Sequence, residues 1–136
     1  RLLDLGVERF LLSSTIRGIL AQRLVRVICP YCKEKDHSGA NREELALFGI
    51  GADVDLFRGK GCEKCTFTGY HGRSGVFELL LIDDEIRRLI LRNADANELR
   101  QTARTLGMKT ILEDGAEKVR RGVTTLSEVF RVTQEE

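Results

Sequence analysis

The sequence predicts an α+β fold, with a tetracysteine metal module set between two strands and a helical segment after them. Three observations carry this prediction. Two Cys-x-x-Cys pairs, Cys29/Cys32 and Cys62/Cys65, stand apart in the chain. Apolar runs at 24–28 and 76–82 bracket them, rich in the branched side chains that suit strands. From Asp83 onward the apolar residues take up helical spacing.

Taken in order, residues 10–28 read as a helix followed by a strand at 24–28, with Ser13, Ser14 and Thr15 able to cap or begin an element. Residues 33–40 are polar and read as a loop. Asn41-x-x-Glu44 is a helix-start signature for a short helix bearing Leu45, Leu47 and Phe48 and closed by Gly49. Residues 54–58 are a short strand candidate, broken by Gly59 and Gly61. Residues 69–75 read as a glycine-rich turn before the strand at 76–82. Four amphipathic helices follow. Ile86, Leu89 and Ile90 share a face; Leu99, Ala103 and Leu106 follow the cap signal Asp95-x-x-Glu98. Met108, Ile111, Leu112, Gly115 and Val119 form a stripe stopped at Gly122, and Thr125-x-x-Glu128 reads as a capping box ahead of Val129 and Phe130. None is long enough to be stable alone, so they must pack.

Composition narrows the function classes. The 136 residues carry a formal net charge of +1, which gives no global attraction to nucleic acid or anionic lipid. Aromatic content of 6% also weighs against a base-stacking module. No apolar stretch approaches a membrane span, so direct membrane insertion is not expected. A start at Arg1 with no small-residue cleavage site beyond it predicts a piece of a larger protein without a secretory leader.

The cysteines carry the strongest chemical signal. Cys-x-x-Cys lets two sulfurs from one tight turn reach a single ion, and two such turns complete a tetrahedron. Cys29, Cys32, Cys62 and Cys65 are therefore predicted to hold a structural Zn²⁺, with Lys33, Lys60 and Lys64 placing positive charge nearby. With four protein ligands no coordination position is left for catalysis. The alternatives are two disulfides or free thiols, a rubredoxin-like iron site, and redox chemistry of the glutaredoxin kind, whose motif Cys29-Pro30-Tyr31-Cys32 matches. That last reading needs a helix after the motif, and residues 33–39 lack apolar periodicity. His37 and His71 are expected to be exposed loop residues. Arg17, Arg23 and Arg26 are expected on a solvated or interface-facing edge, and Arg87, Arg88, Arg120 and Arg121 on the wet faces of helices. Arg73, in the glycine-rich stretch, suits phosphate oxygens, although an exposed turn arginine is the simpler reading. No Walker A pattern, nucleophile elbow or H-E-x-x-H occurs.

Several strings together resemble one family. They are residues 6–14 (GVERFLLSS), 18–26 (GILAQRLVR), the Cys-Pro-x-Cys-Lys at 29–33, Gly61-Cys62-x-x-Cys65, and Gly69-Tyr70-x-Gly72-Arg73-Ser74-Gly75-Val76-x-Glu78-Leu79-Leu80. Leu112-Glu113-Asp114-Gly115 and residues 122–133 also fit. The combination is similar to the C-terminal end of the bacterial type II secretion ATPases. The type IV pilus assembly ATPases share much of it, and residues 10–14 and 23–26 favour the former. The resemblance implies a cytoplasmic, hexameric parent of RecA-like fold, using ATP and Mg²⁺ to drive pseudopilus assembly. Its partners would be the other subunits of the hexamer and inner-membrane platform proteins, through which it would lie peripheral to that membrane. It further implies that 1–28 is the tail of the RecA-like core, 29–72 the zinc module, 73–82 a strand returning to the core sheet, and 83–136 a helical subdomain. Arg73 matches the family's Gly-Arg-Thr/Ser-Gly arginine and becomes a candidate for lying near the nucleotide. The family's P-loop and Walker B segment are missing, so no catalysis is expected of this chain alone.

Overall fold

Helix α1, Arg9–Thr15, ends where its hydroxyls turn back on its own backbone: Ser13 Oγ donates to the Phe10 carbonyl at 2.9 Å and Ser14 Oγ to that of Leu11 at 3.2 Å. Such back-bonding competes with the helical ladder, so these residues close a helix and do not begin one. The computed structural model describes residues 1–39 and 42–134. Asn41 of the expected helix-start signature lies outside them, and the helix it would open, α2, spans Arg42–Leu47.

Two long strands follow the pattern of the sequence but exceed it. Strand β1 is Gly18–Ile28 and pairs with a late strand, Tyr70–Leu81. Bonds from the Ile82 N–H to Arg17 C=O (3.0 Å) and from the Cys29 N–H to Gly69 C=O (2.9 Å) mark opposite ends of an antiparallel pair. The expected turn at 69–75 is instead strand from Tyr70 on, with Gly72 absorbed at φ +81°. The expected loop at 33–40 likewise begins as strand β2, Lys33–Lys35. It pairs antiparallel with β3, Phe57–Gly59, in the register Lys33↔Gly59, Glu34↔Arg58 and Lys35↔Phe57. The strand expected at 54–58 therefore sits later in the chain. Counting β2 and β3, the late strand is β4.

The remaining helices are α3 (Asp84–Leu91), α4 (Ala96–Thr105), α5 (Ile111–Arg120) and α6 (Leu126–Thr133). Each starts on a side-chain cap that satisfies an orphan N–H. Asp83 accepts from the Ile86 N–H, Asp95 from Glu98 and Thr125 from Glu128. The reciprocal box occurs elsewhere than expected: Thr110 and Glu113 complete it, with bonds of 3.2 and 2.9 Å. Glu98 turns to Arg92, and Glu128 turns away from its cap altogether.

The chain forms two compact units. One comprises Arg1–Ala21 and Glu78–Lys109, and it buries Ile82, Ile86, Leu89 and Ala103 with Leu99 and Met108 packed against them. The other comprises Gln22–Phe77 and Thr110–Glu136 and contains all four cysteines. Its core joins Val25, Leu45, Phe48, Val76, Val119, Val129 and Val132. In that unit α5 and α6 meet closely at Gly115, where a Cβ would stand 2.5 Å from Val129 Cγ1.

Candidate metal centre

The first pair of cysteines is positioned by strand ends. Cys29 follows β1 and Cys32 precedes β2, so the tight turn at Pro30-Tyr31 is pinned by a strand on either side. No helix follows the motif, and the glutaredoxin-like reading loses the helix N-terminus that its thiolate needs. The second pair sits on a single 3₁₀ turn, Glu63–Cys65, which Thr66 closes in the left-handed region at φ 50°. The two halves are tied together by backbone bonds: Lys60 N–H to Cys32 C=O (3.0 Å) and Cys29 N–H to Gly69 C=O (2.9 Å).

The four sulfurs lie within 4.8 Å of one another. Three of the pairs are Cys29–Cys62 at 3.9 Å, Cys32–Cys65 at 3.9 Å and Cys62–Cys65 at 3.7 Å. A metal–sulfur bond of about 2.3 Å gives a tetrahedron with an edge of about 3.8 Å. The spacing thus fits four thiolates around one cation. A disulfide needs about 2.05 Å, and none of the four is bridged. Cys29 and Cys65 are buried, Cys32 and Cys62 partly so, leaving little access for solvent.

The backbone prepares the cage for negative charge. Gly61 N–H donates to Cys32 Sγ, and the Cys62 and Gly69 N–H groups donate to Cys65 Sγ, each at 3.3 Å. Burial works to raise the Cys65 thiol, but those two N–H donors, together with hydrogen bonds from the Cys62 and Cys32 thiols, outweigh it and bring it down to about 6. For Cys32 burial prevails and, with its sulfur neighbours, pushes the thiol up to about 12. One anion is readily held, and further ones repel it at this spacing. A divalent soft cation at the centre would let all four ionise together.

Glycine makes the crossing possible. A Cβ on Gly69 would lie 2.5 Å from the Gly59 carbonyl oxygen, and Gly69 has φ +78°. Gly69→Ala combines a left-handed backbone with that clash, so it is expected to cost more than about 2 kcal/mol. A calorimetric melt should show the loss, and a melting temperature equal to that of the unchanged chain would contradict the close approach.

Around the cage lies a polar network that was illegible in the sequence. Glu128, only 2% exposed, accepts from the Arg26 backbone N–H (2.8 Å), from Arg26 Nη2 (2.7 Å) and from Arg131 Nη2 (2.9 Å). Burial works to raise this carboxyl, but the arginine and backbone bonds dominate and hold it down at about 2. Arg26 also stacks over the Tyr70 ring, 4.2 Å from its centroid, and Tyr70 Oη meets Thr125 Oγ1 at 2.8 Å. Arg26 thus lies on an exposed edge, as expected, and is in addition an anchored ion-pair partner. Lys33 sends its ammonium to the Gly122 carbonyl at 2.6 Å, over the Phe57 ring. Likewise Arg120 reaches the Gly49 carbonyl at 2.7 Å, so its helix face is not simply wet.

Arg73 is exposed on β4, and its side chain has no hydrogen bond or ion pair among the described residues. It is on a strand, not in the expected turn. His37 is exposed, and His71 is exposed on β4 with its ring edge-on to Tyr31 at 6.3 Å; neither belongs to the sulfur cluster. Among the described residues no helix is long and apolar enough to cross a membrane.

Mixed strands and helices, with four cysteines clustered closely enough to hold a metal ion in one of the two units, define the class: an α+β chain with a candidate tetrathiolate site. Comparison with known proteins narrows it: the chain belongs to the type II/IV secretion system protein family, whose model matches residues 1–131. It is 49% identical, over its whole length, to the type II secretion system protein E of Pseudomonas aeruginosa, and 45% identical over 99% of its length to the type II secretion system ATPase E of Vibrio cholerae. The type IV pilus assembly ATPase PilB of Thermus thermophilus is 44% identical over 99% of the chain. The chain spans 27% of the length of each of the first two relatives and 15% of the third.

Proposed function

We propose that this chain is the zinc-binding C-terminal part of an ATPase that powers type II protein secretion. The observation that carries the reading is the sulfur cage, all four sulfurs within 4.8 Å and three pairs at 3.7 to 3.9 Å, in a chain 45–49% identical to type II secretion system E proteins over 99–100% of its length. Cys29, Cys32, Cys62 and Cys65 would hold the Zn²⁺, and the ion would contribute folding free energy and no chemistry, since its four ligands leave no open position. The match to a pilus assembly ATPase supports a second reading, the same region of a type IV pilus motor.

In this proposal residues 1–28 end a RecA-like core, 29–72 form the metal module, 73–82 return toward the core sheet and 83–136 form the helical end. The whole protein would be a cytoplasmic hexamer that binds ATP and Mg²⁺ and reaches the inner membrane through platform proteins. The chain alone would not hydrolyse ATP. The exposed Arg73 is available to a nucleotide held by the rest of the protein. In the full-length enzyme Arg73→Ala should lower ATP turnover by about a hundredfold or more, the scale of one lost electrostatic contact to a developing charge. Zinc content should stay unchanged, and wild-type turnover would leave Arg73 a surface residue. Elemental analysis of the purified chain tests the metal: one zinc per chain supports the reading, whereas iron or no metal contradicts it.

A further inference from the structure

The end of the α5–α6 connection and the first turn of α6, residues 122–128, are held by the flanks of the cysteine pairs. Just before Cys29, the Ile28 N–H donates to the Val123 carbonyl at 2.9 Å and the Arg26 carbonyl accepts from Thr124 Oγ1 at 2.7 Å. Glu128 accepts from both the backbone and the guanidinium of Arg26. Just after Cys32, Lys33 Nζ donates to the Gly122 carbonyl. Just after Gly69, which donates to one sulfur, Tyr70 meets Thr125. The fit at Lys33 is close: a Cβ on Gly122 would stand 2.8 Å from Lys33 Nζ and 2.9 Å from the Phe57 ring.

We propose that Lys33 and Glu128 are positioning residues of the metal site, acting through the backbone that carries the cysteines, so that metal retention and the seating of α6 are reciprocally coupled. This rests on the zinc reading given above. Two of the four cage corners, Cys29 and Cys32, are carried by backbone anchored one residue away, at Ile28 and Lys33, to the 122–128 segment, and a third, Cys65, accepts from the N–H of Gly69, next to the anchored Tyr70. If that segment shifts, Ile28, Lys33 and Tyr70 lose their partners together, and the two knuckles are freed to drift apart. Coupling of this kind must run both ways: whatever the segment adds to metal affinity, the metal adds to the seating of the segment. Thr124, buried, and the half-buried Thr125 complete the contact without charge.

The test uses the chain loaded with zinc and a chromophoric chelator that reports release. Lys33→Met and Glu128→Gln should each speed release about tenfold or more, the effect typical of removing a partner that orients a metal ligand from outside the coordination sphere. Lys33→Arg, which can still donate to the Gly122 carbonyl, should restore slow release. Val132→Ala removes core volume from α6 without touching the clasp, and should melt earlier while releasing zinc near the wild-type rate. Equal release from wild type, Lys33→Met and Glu128→Gln would overturn the proposal, as would Val132→Ala releasing zinc as fast as they do. A wild-type chain that takes up no zinc would instead refute the zinc reading itself. Should the variants fold poorly, hydrogen exchange of the wild type decides: stripping the metal should speed the Arg26 and Ile28 amides more than those of α3, and unchanged protection would overturn the coupling.

Discussion

Replacing Cys62 with serine is expected to empty the metal site and melt the module around it. Cys62 contributes more than a donor atom. Its sulfur stands 3.9 Å from that of Cys29 and 3.7 Å from that of Cys65, its N–H supports the Cys65 thiolate, and its carbonyl accepts from the Cys65 and Phe67 N–H groups. Serine keeps the backbone bonds and removes the thiolate, so the variant isolates the metal. Zn²⁺ contributes about 10–16 kcal/mol of apparent binding free energy in small zinc-dependent domains near neutral pH. Losing one of four ligands from a closed site removes a large share of that. The short β2–β3 pair has three residues on each side, and besides the Lys33 contact and exposed ion pairs it leans on the cage at its Cys32 end. Metal analysis together with a thermal melt checks this; a variant that retains one metal and melts with the wild type would show that Cys62 is not a ligand.

The second large effect lies at Glu128. Glu128→Ala removes the carboxylate that satisfies the Arg26 N–H and pairs with two guanidiniums. Both arginine side chains keep 49% exposure, so neither is stranded in the interior, and the expected cost is about 3 kcal/mol, the lower end for breaking a buried pair. The pH dependence carries the same signature. The carboxyl is held near 2, below its ordinary 4.5, so its contribution is complete above about pH 4.5 and is lost as pH falls toward 2. Metal loss in acid affects wild type and variant alike. The quantity to measure is therefore the stability difference between wild type and Glu128→Gln by urea unfolding at each pH. It should be constant above pH 5 and shrink on acidification. A difference independent of pH down to 2 would mean that Glu128 is not ionised in the folded chain.

The sequence was readable where a local pattern dictates a local structure. Paired Cys-x-x-Cys motifs announce a shared ion because their spacing has few other uses, and the sulfurs do converge. The helices from Asp83 onward follow from their apolar stripes, and Asp83, Asp95 and Thr125 cap three of them. Strand ends were less legible. Gly69, Gly72 and Gly75 look like a turn, yet pairing with β1 holds Tyr70–Leu81 extended, which no window of the sequence contains. Lys33–Lys35 has no apolar alternation and becomes a strand only because Phe57–Gly59 lies beside it. Glu128 shows the limit most clearly. Thr125-x-x-Glu128 is a capping pattern, and half of it forms, but a partner 102 residues away claims the carboxylate. The ion pair of Arg26 was opaque for the same reason. The box at Thr110 and Glu113, by contrast, was plainly written and could have been found by the same spacing rule.

In the proposed function, a metal held by Cys29, Cys32, Cys62 and Cys65 organises this part of a secretion ATPase. The most direct test is the metal content of the purified chain, with its melting temperature recorded before and after a strong chelator. One zinc per chain, with a fall in melting temperature on removal and recovery on readdition, is the predicted result. A chain that carries no metal, titrates four free thiols and melts at the same temperature with and without chelator would contradict the account.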